Sequence, residues 1–164
     1  VDVATPMVWF RASELGLEGN ETKAELDANT DLLARMEKVR VQASIAMGMG
    51  DPTGLVLPKI GVASKPRNGG TITSRYFVPQ NCHPTHAVTG GLNAAAAQAE
   101  PGTIVNEVSA GQDLASQNVV IEHPSGTLEI NLTYENGEFA KGGVIRTAKK
   151  IMSGEVFVPS YLLA

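Results

Sequence analysis

The most informative segment of this 164-residue chain is Val88-Thr89-Gly90-Gly91-Leu92-Asn93-Ala94-Ala95-Ala96-Ala97-Gln98-Ala99. Its run of alanines predicts a helix over residues 88–99 that ends before Pro101-Gly102. The side chains are small and apolar on nearly every side, and a helix that is apolar all round is usually buried. We therefore expect a central helix that is enclosed by the rest of the domain and closely approached by its strands.

The segments around this helix are patterned as strands. An extended segment over residues 1–12 opens the chain, and short runs with strand character follow at 59–63, 71–78, 118–121, 127–134, 138–145 and 156–159. Ser125-Gly126 and Asn136-Gly137 supply the turns of a meander. Residues 146–152 fit either a short helix or a bulged strand. We expect an α+β domain, in which an antiparallel sheet or barrel wraps around the central helix.

A second, longer helix is predicted in the first third of the chain. Thr22-Lys23-Ala24-Glu25 is a capping box, in which the Thr and Glu side chains satisfy backbone N–H groups reciprocally. Apolar residues then recur at the three- and four-residue steps of one helical face, at Leu32, Met36, Val39, Ala43 and Ala46. We expect this helix to pack on the outside of the sheet.

Composition limits the partners and the compartment. The net charge is −4 and the basic residues are scattered, which argues against a nucleic-acid partner. No apolar run approaches the ~20 residues of a membrane span, so we expect no membrane partner. The single cysteine fits a reducing compartment, and we expect a cytoplasmic protein. The chain opens without Met, directly in a predicted strand, and we expect residues 1–164 to be one domain of a longer protein.

Three residues with reactive or metal-binding side chains lie within five positions, namely Cys82, His83 and His86. A thiolate and two imidazoles are possible zinc ligands, and a catalytic zinc needs three protein ligands. However, adjacent residues point in different directions, and no second ligand pair is present, so we predict no metal site. The alternatives are a rigid loop with satisfied polar side chains, or a contribution to a neighbouring anion site.

The start of the central helix is the candidate anion site. The first N–H groups of a helix have no partner within it, and the helix dipole places partial positive charge there. Gly90 and Gly91 let a ligand approach the backbone, while the Thr89 hydroxyl can donate to an oxygen. We predict that residues 88–91, strengthened by His86, bind a carboxylate or phosphate. Arg75, on the preceding strand, could reach the same pocket.

The order of several motifs resembles the second half of the PrpF family of methylaconitate-type isomerases. The motifs lie at residues 57–62, 75–79, 82–91, 121–126 and 146–156, and the Cys-His-x-x-x-Ala-Val-Thr-Gly loop and the Glu-His-Pro-Ser-Gly turn are the most specific. The resemblance covers nearly the whole chain. It implies a diaminopimelate epimerase-like fold, in which two similar domains each wrap a sheet around a central helix and the active site lies between them.

The resemblance also implies an activity. PrpF-type enzymes isomerise unsaturated di- and tricarboxylic acids without a cofactor, by moving a proton on the carbon next to a carboxylate. Their catalytic Lys, and the Cys of a Ser-Gly-Asn-Cys-Gly-Asn motif, lie in the first domain, and this sequence lacks that motif. The resemblance therefore implies that residues 86 and 88–91 hold a substrate carboxylate, with Cys82, His83 and Arg75 as weaker candidates, whereas the catalytic residues lie elsewhere.

The resemblance further implies an N-terminal domain as the partner of this chain. Without that domain we expect no turnover, and we expect the uncovered face to drive homodimerisation. The chain also departs from the family pattern, because Thr5-Pro6 stands where relatives usually have Asn-Pro. Two alternatives remain: a carboxylate-binding or interaction module of the same fold, and a small zinc-binding domain.

Overall fold

The computed structural model describes residues 1–111, 118–135, 138–145 and 147–162. The strands within these ranges are β1 (Asp2–Val3), β2 (Thr5–Arg11), β3 (Lys59–Ser64), β4 (Ile72–Phe77), β5 (Asn118–His123), β6 (Gly126–Glu135) and β7 (Glu138–Val144). The α-helices are α1 (Lys23–Ala28), α2 (Thr30–Ala46), α3 (Val88–Ala99) and α4 (Ile104–Val108), and short 3-10 helices span Ala12–Leu15 and Ser160–Leu162. In this part of the chain, no helix combines the length and the apolar character that crossing a bilayer requires.

The strands form one sheet in the order β1-β2-β3-β4-β5-β6-β7. The expected antiparallel pairing is wrong at two places, because β2 pairs with β3 and β4 pairs with β5 in parallel. Parallel neighbours need a crossover of about a dozen residues or more. The connections that carry α1 and α2, and then α3 and α4, provide such crossovers. The sheet is therefore mixed, whereas the α+β class is confirmed.

The central helix α3 contacts strands from both ends of the sheet, β1 and β2 on one side and β6 and β7 on the other. The sheet therefore curls around it. Ala94, Ala95 and Ala97 are completely buried, as the all-round apolar pattern predicted. At Gly91 a Cβ atom would lie 2.6 Å from the Leu128 side chain, so the absence of a side chain there lets β6 approach the helix.

The opposite face of the sheet is covered by α1 and α2. Leu26, Leu32 and Met36 from these helices pack with Phe77 and Cys82, which confirms the outer helical layer. The capping box at Thr22 is present as predicted. The predicted single helix is instead two helices, because Asn29 ends α1 and its side chain accepts a hydrogen bond from the Leu32 N–H to begin α2.

The predicted apolar stripe is wrong in the second half of α2. Val39 is 47% exposed, while its neighbour Arg40 is completely buried. The Arg40 guanidinium donates to the Glu37 carboxylate and to the carbonyl oxygens of Pro52 and Leu57 at 2.6–3.1 Å. A buried arginine is stable only when it is paired and hydrogen-bonded, and these partners provide both. Arg40 therefore fastens α2 to the loop over residues 51–58.

The predictions for the end of the chain are corrected in part. Residues 147–159 form neither helix nor strand, so the last strand predicted at 156–159 is wrong. A strand needs a hydrogen-bonding neighbour, and none of the described strands lies beside this segment. Its apolar side chains face solvent, and both Ile151 and Phe157 are 91% exposed. The predicted turn Asn136-Gly137, as well as Arg146, lies outside the described residues.

Candidate functional site

The N-terminus of α3 differs from those of the other described α-helices because no side chain caps it. In the others, the side chains of Thr22, Asn29 and Thr103 accept the capping hydrogen bond. The residue before α3 is Ala87, which has no polar side chain, and its carbonyl accepts the Gly91 N–H at 2.8 Å. The N–H groups of residues 88–90 therefore remain available to a ligand.

This helix start is accessible from solvent. Thr89 is exposed and Val88 is 37% exposed, whereas Gly90 is buried. A Cβ atom at Gly90 would lie 2.4 Å from the Tyr76 ring, so the ring rests directly against the backbone of the helix start. The Tyr76 hydroxyl is hydrogen-bonded with the Thr89 side chain, while burial raises the pKa of Tyr76. Tyr76 thus fixes both the backbone and the hydroxyl that face the site.

His86 lies below the site with its ring turned inward. Its Nδ1 is 3.1 Å from the Ala87 carbonyl oxygen and its Nε2 is 3.1 Å from the Ser74 hydroxyl. Because a carbonyl can only accept, Nδ1 carries the proton and Nε2 accepts from Ser74. Burial lowers the pKa of His86 to about 4, so the ring is neutral at pH 7. His86 therefore holds the residue before α3 in place and offers no positive charge.

Cys82 and His83 lie in the same loop, and both have hydrogen-bond partners within the chain. Burial raises the pKa of the Cys82 thiol to about 11, so at neutral pH it is a protonated thiol. The Cys82 backbone N–H donates to the Asp27 carboxylate at 2.6 Å, and His83 Nδ1 accepts from the Thr85 N–H at 3.1 Å. In the described ranges, no three His, Cys, Asp or Glu side chains are arranged to hold a metal ion. These contacts match the rigid-loop interpretation.

Arg75 is not brought to the helix start. It alternates on β4 with Ser74 and Tyr76, whose side chains contact His86 and α3. Neighbouring residues in a strand point to opposite faces, so Arg75 points away from α3. Its Nε donates to the Glu21 carbonyl at 2.8 Å on that other face.

Sequence reasoning missed two supporting residues, Ser74 and Tyr76. Both lie in a correctly predicted strand at alternate positions immediately before the loop. That spacing was the available signal, because it places the two side chains on one face of the strand, opposite Arg75. Only the folded structure shows that this face meets the start of α3.

A mixed sheet curled around an alanine-rich helix with an open N-terminus is a diaminopimelate epimerase-like domain. The crystal structure of methylitaconate-delta-isomerase superposes with a TM-score of 0.84 at 29% identity, covering 100% of this chain and 47% of that one. The family model of the PrpF protein matches residues 1–159. The chain therefore belongs to the PrpF family.

Curated relatives are similar over nearly all of this chain. YbhH of Escherichia coli (strain K12) is 42% identical over 161 residues, which cover 97% of this chain and 45% of YbhH. The (4E)-oxalomesaconate Delta-isomerase of Novosphingobium sp. (strain KA1) is 35% identical, over 96% of this chain and 44% of that enzyme. The 3-methylitaconate isomerase of Eubacterium barkeri is 32% identical, over 96% of this chain and 46% of that enzyme. The chain thus spans about half the length of these relatives.

Proposed function

We propose that this chain is the C-terminal, substrate-holding half of an isomerase of unsaturated di- or tricarboxylic acids. The observation that carries the proposal is the accessible, uncapped start of α3. Relatives named as isomerases of oxalomesaconate and methylitaconate support the substrate class. The share of about 45% of their length that the chain covers is consistent with one half of a two-domain enzyme.

The N–H groups of Val88, Thr89 and Gly90 bind one carboxylate of the substrate, and the Thr89 hydroxyl adds a further contact. Removal of a proton from the carbon next to a carboxylate builds enolate-like negative charge. Backbone donors that are already fixed stabilise this charge without reorganising during the reaction. Tyr76 and His86 act as positioning residues, since their contacts hold the hydroxyl and the residue before the helix.

The proton transfer itself belongs to another part of the enzyme. In this chain the Cys82 thiol is buried and its pKa is raised, and His86 is buried and neutral, so neither suits a solvent-facing acid or base. We infer that an upstream domain supplies the Lys and Cys of the family motif. The gene should therefore encode an upstream domain that contains Ser-Gly-Asn-Cys-Gly-Asn. The absence of any such domain would contradict the proposal of a two-domain isomerase.

The carboxylate-binding role predicts a localised response to substrate-like acids. When the isolated chain is titrated with cis-aconitate at constant ionic strength, the amide NMR signals of Val88, Thr89 and Gly90 should shift saturably. Thr89→Val removes one hydroxyl donor and should weaken this binding about tenfold, the usual scale of one hydrogen bond to a charged group. Thr133→Val, at an exposed position of β6, should bind like the parent chain. Titration without shifts at residues 88–90 would contradict the proposal.

The exposed end of the chain supports a partner for this domain. Beyond β7, eight large apolar side chains are at least half exposed, namely Ile145, Ile151, Met152, Val156, Phe157, Val158, Tyr161 and Leu162. Soluble proteins rarely leave a patch of this kind uncovered. In the complete enzyme we propose that the N-terminal domain covers it. In the isolated chain, a second copy takes that place.

The isolated chain should accordingly self-associate through this segment. Phe157→Asp should shift the chain toward the monomer, with the dimer dissociation constant raised at least about tenfold, because burial of an aromatic side chain contributes about 1.5–3 kcal/mol. Light scattering coupled to size-exclusion chromatography measures this change. Leu55→Asp is the matched control, since Leu55 is an exposed apolar residue elsewhere. A clean monomer at millimolar concentration would contradict the expectation.

A further inference from the structure

A cavity of about 280 Å³ lies on the side of β4 that points away from α3. Thr73 and Arg75 of β4 contribute to its walls, together with residues from the β3–β4 and β5–β6 turns. The charged or titratable groups in its walls are Arg67, Arg75, Glu122 and His123, and the polar side chains of Asn20, Asn68 and Thr127 lie beside them. The cavity is thus separate from the helix start, and it contains none of residues 86–91.

Arg75 is the unusual member of this cavity. It is only 6% exposed, and its guanidinium donates through Nε to the Glu21 carbonyl and through Nη1 to the Ser74 carbonyl. Among the described residues, Nη2 has no hydrogen-bond acceptor, and no carboxylate forms an ion pair with Arg75. Glu21 and Glu122 act on the guanidinium only from beyond ion-pair distance, and a buried charge without a close counter-charge is costly. An anion that enters the cavity would remove this cost.

Glu122 lines the same cavity, but it lies beyond ion-pair distance of Arg75. Its carboxylate accepts the backbone N–H groups of Arg67, Asn68 and Gly70 and the Thr73 hydroxyl, at 2.7–2.9 Å. These four donors hold the carboxylate against the β3–β4 turn. Arg67 is ion-paired with Glu18 at 3.1 Å, so Arg75 is the arginine of the lining that has no ion-pair partner among the described residues.

We propose that this cavity is a second binding site, which takes a small carboxylate anion on Nη2 of Arg75. Asn20, Asn68 and Thr127 are exposed at its mouth, and in the described structure their side chains make no hydrogen bond, so they are free to contact the anion. A single guanidinium without an ion-pair partner matches the one charge of a carboxylate better than the charge of about −1.5 that phosphate carries at neutral pH. The site goes beyond the proposed isomerase function.

The site is tested on the full chain by amide NMR with sodium acetate and, separately, with inorganic phosphate, both at constant ionic strength and pH 7. Acetate should produce saturable shifts at Gly70 and Thr127, and phosphate should bind there at least tenfold more weakly. Shifts at Thr89 and Gly90 report the helix start instead, so the two sites succeed or fail independently. An absence of saturable shifts at Gly70 and Thr127, or equal binding of phosphate, would overturn the proposal.

Variants identify the groups responsible. Arg75→Gln should abolish the acetate response at Gly70 and Thr127 while the response at the helix start remains. Since Arg75 is buried and this variant could fail to fold, Asn20→Asp provides a second test at an exposed position. Its added charge at the mouth should weaken acetate binding about tenfold. Gln42→Glu adds the same charge on α2, away from the cavity, and should leave binding unchanged. Unchanged binding in Asn20→Asp would refute the assignment.

Discussion

Asn93→Ala should lower the free energy of unfolding by about 3 kcal/mol, because this side chain joins the central helix to the first two strands. Asn93 is completely buried. Its Oδ1 accepts the Trp9 indole N–H at 2.9 Å, and its Nδ2 donates to the carbonyls of Val1 and Thr5 at 3.1 and 2.8 Å. Alanine leaves a buried indole donor and carbonyl acceptors without partners. The better helix propensity of alanine offsets only about 0.5 kcal/mol of this loss of stability.

Urea denaturation measures this loss. Gln42→Ala, on the exposed face of α2, is the control and should change the free energy of unfolding by no more than about 0.5 kcal/mol. Asn93→Asp adds a second comparison, because it keeps an acceptor for Trp9 but loses the donors and buries a charge. It should destabilise the chain at least as much as Asn93→Ala. A loss below 1 kcal/mol in Asn93→Ala would mean that water satisfies the groups that Asn93 now bonds.

The central helix was predictable because its signal is local. Residues 88–99 are small, apolar and followed by Pro101-Gly102, and the structure places α3 over the same residues. The pairing of the strands was not predictable in the same way. Whether β2 meets β3 in parallel depends on where a crossover of more than forty residues returns the chain, and no local pattern encodes that path.

The outer helix shows how a pattern can be misleading. Val39 continues the predicted apolar stripe, yet Arg40 occupies the buried position. The partners of Arg40 are Glu37, three residues earlier, and carbonyl oxygens from the loop over residues 51–58. A periodicity argument treats every charge as solvated, because the carbonyl groups that would stabilise a buried arginine become visible only in the folded chain.

The candidate site was proposed from the sequence, and the structure adds the residues that surround it. Thr89 and the two glycines were proposed because the first N–H groups of a helix have no partner within it and the helix dipole adds partial positive charge there. The role of His86 was not accessible from the sequence, since the side to which its ring turns depends on Ser74 in another strand. The position of Arg75 could not be predicted from the sequence either. It lines a separate cavity because α3 covers the opposite face of β4.

His86 should make stability fall steeply in mild acid. Its pKa is about 4 in the folded chain, against 6.5 for an ordinary histidine, and burial is the main cause. Below about pH 6.5 the unfolded chain therefore takes up a proton that the folded chain refuses. Stability is thus lost as the pH falls from about 6.5 toward 4. Between pH 7 and 4.5 this linkage should lower the free energy of unfolding by about 2–3 kcal/mol.

Comparison with His86→Gln isolates the effect, because glutamine can still donate and accept but does not titrate. Its free energy of unfolding, measured by urea denaturation at several pH values, should change about 2–3 kcal/mol less than that of the parent chain between pH 7 and 4.5. The pKa of His123 is also lowered by burial, so His123→Gln should flatten the curve to a smaller extent. Carboxyl groups such as Glu122, whose pKa is lowered by hydrogen bonds, also make stability depend on pH, but at lower pH values. Their contribution is the same in the parent chain, His86→Gln and His123→Gln. If the free energy of unfolding falls equally with pH in the parent chain and in His86→Gln, the prediction is wrong. The folded chain would then accept a protonated imidazole at His86 without losing its contacts.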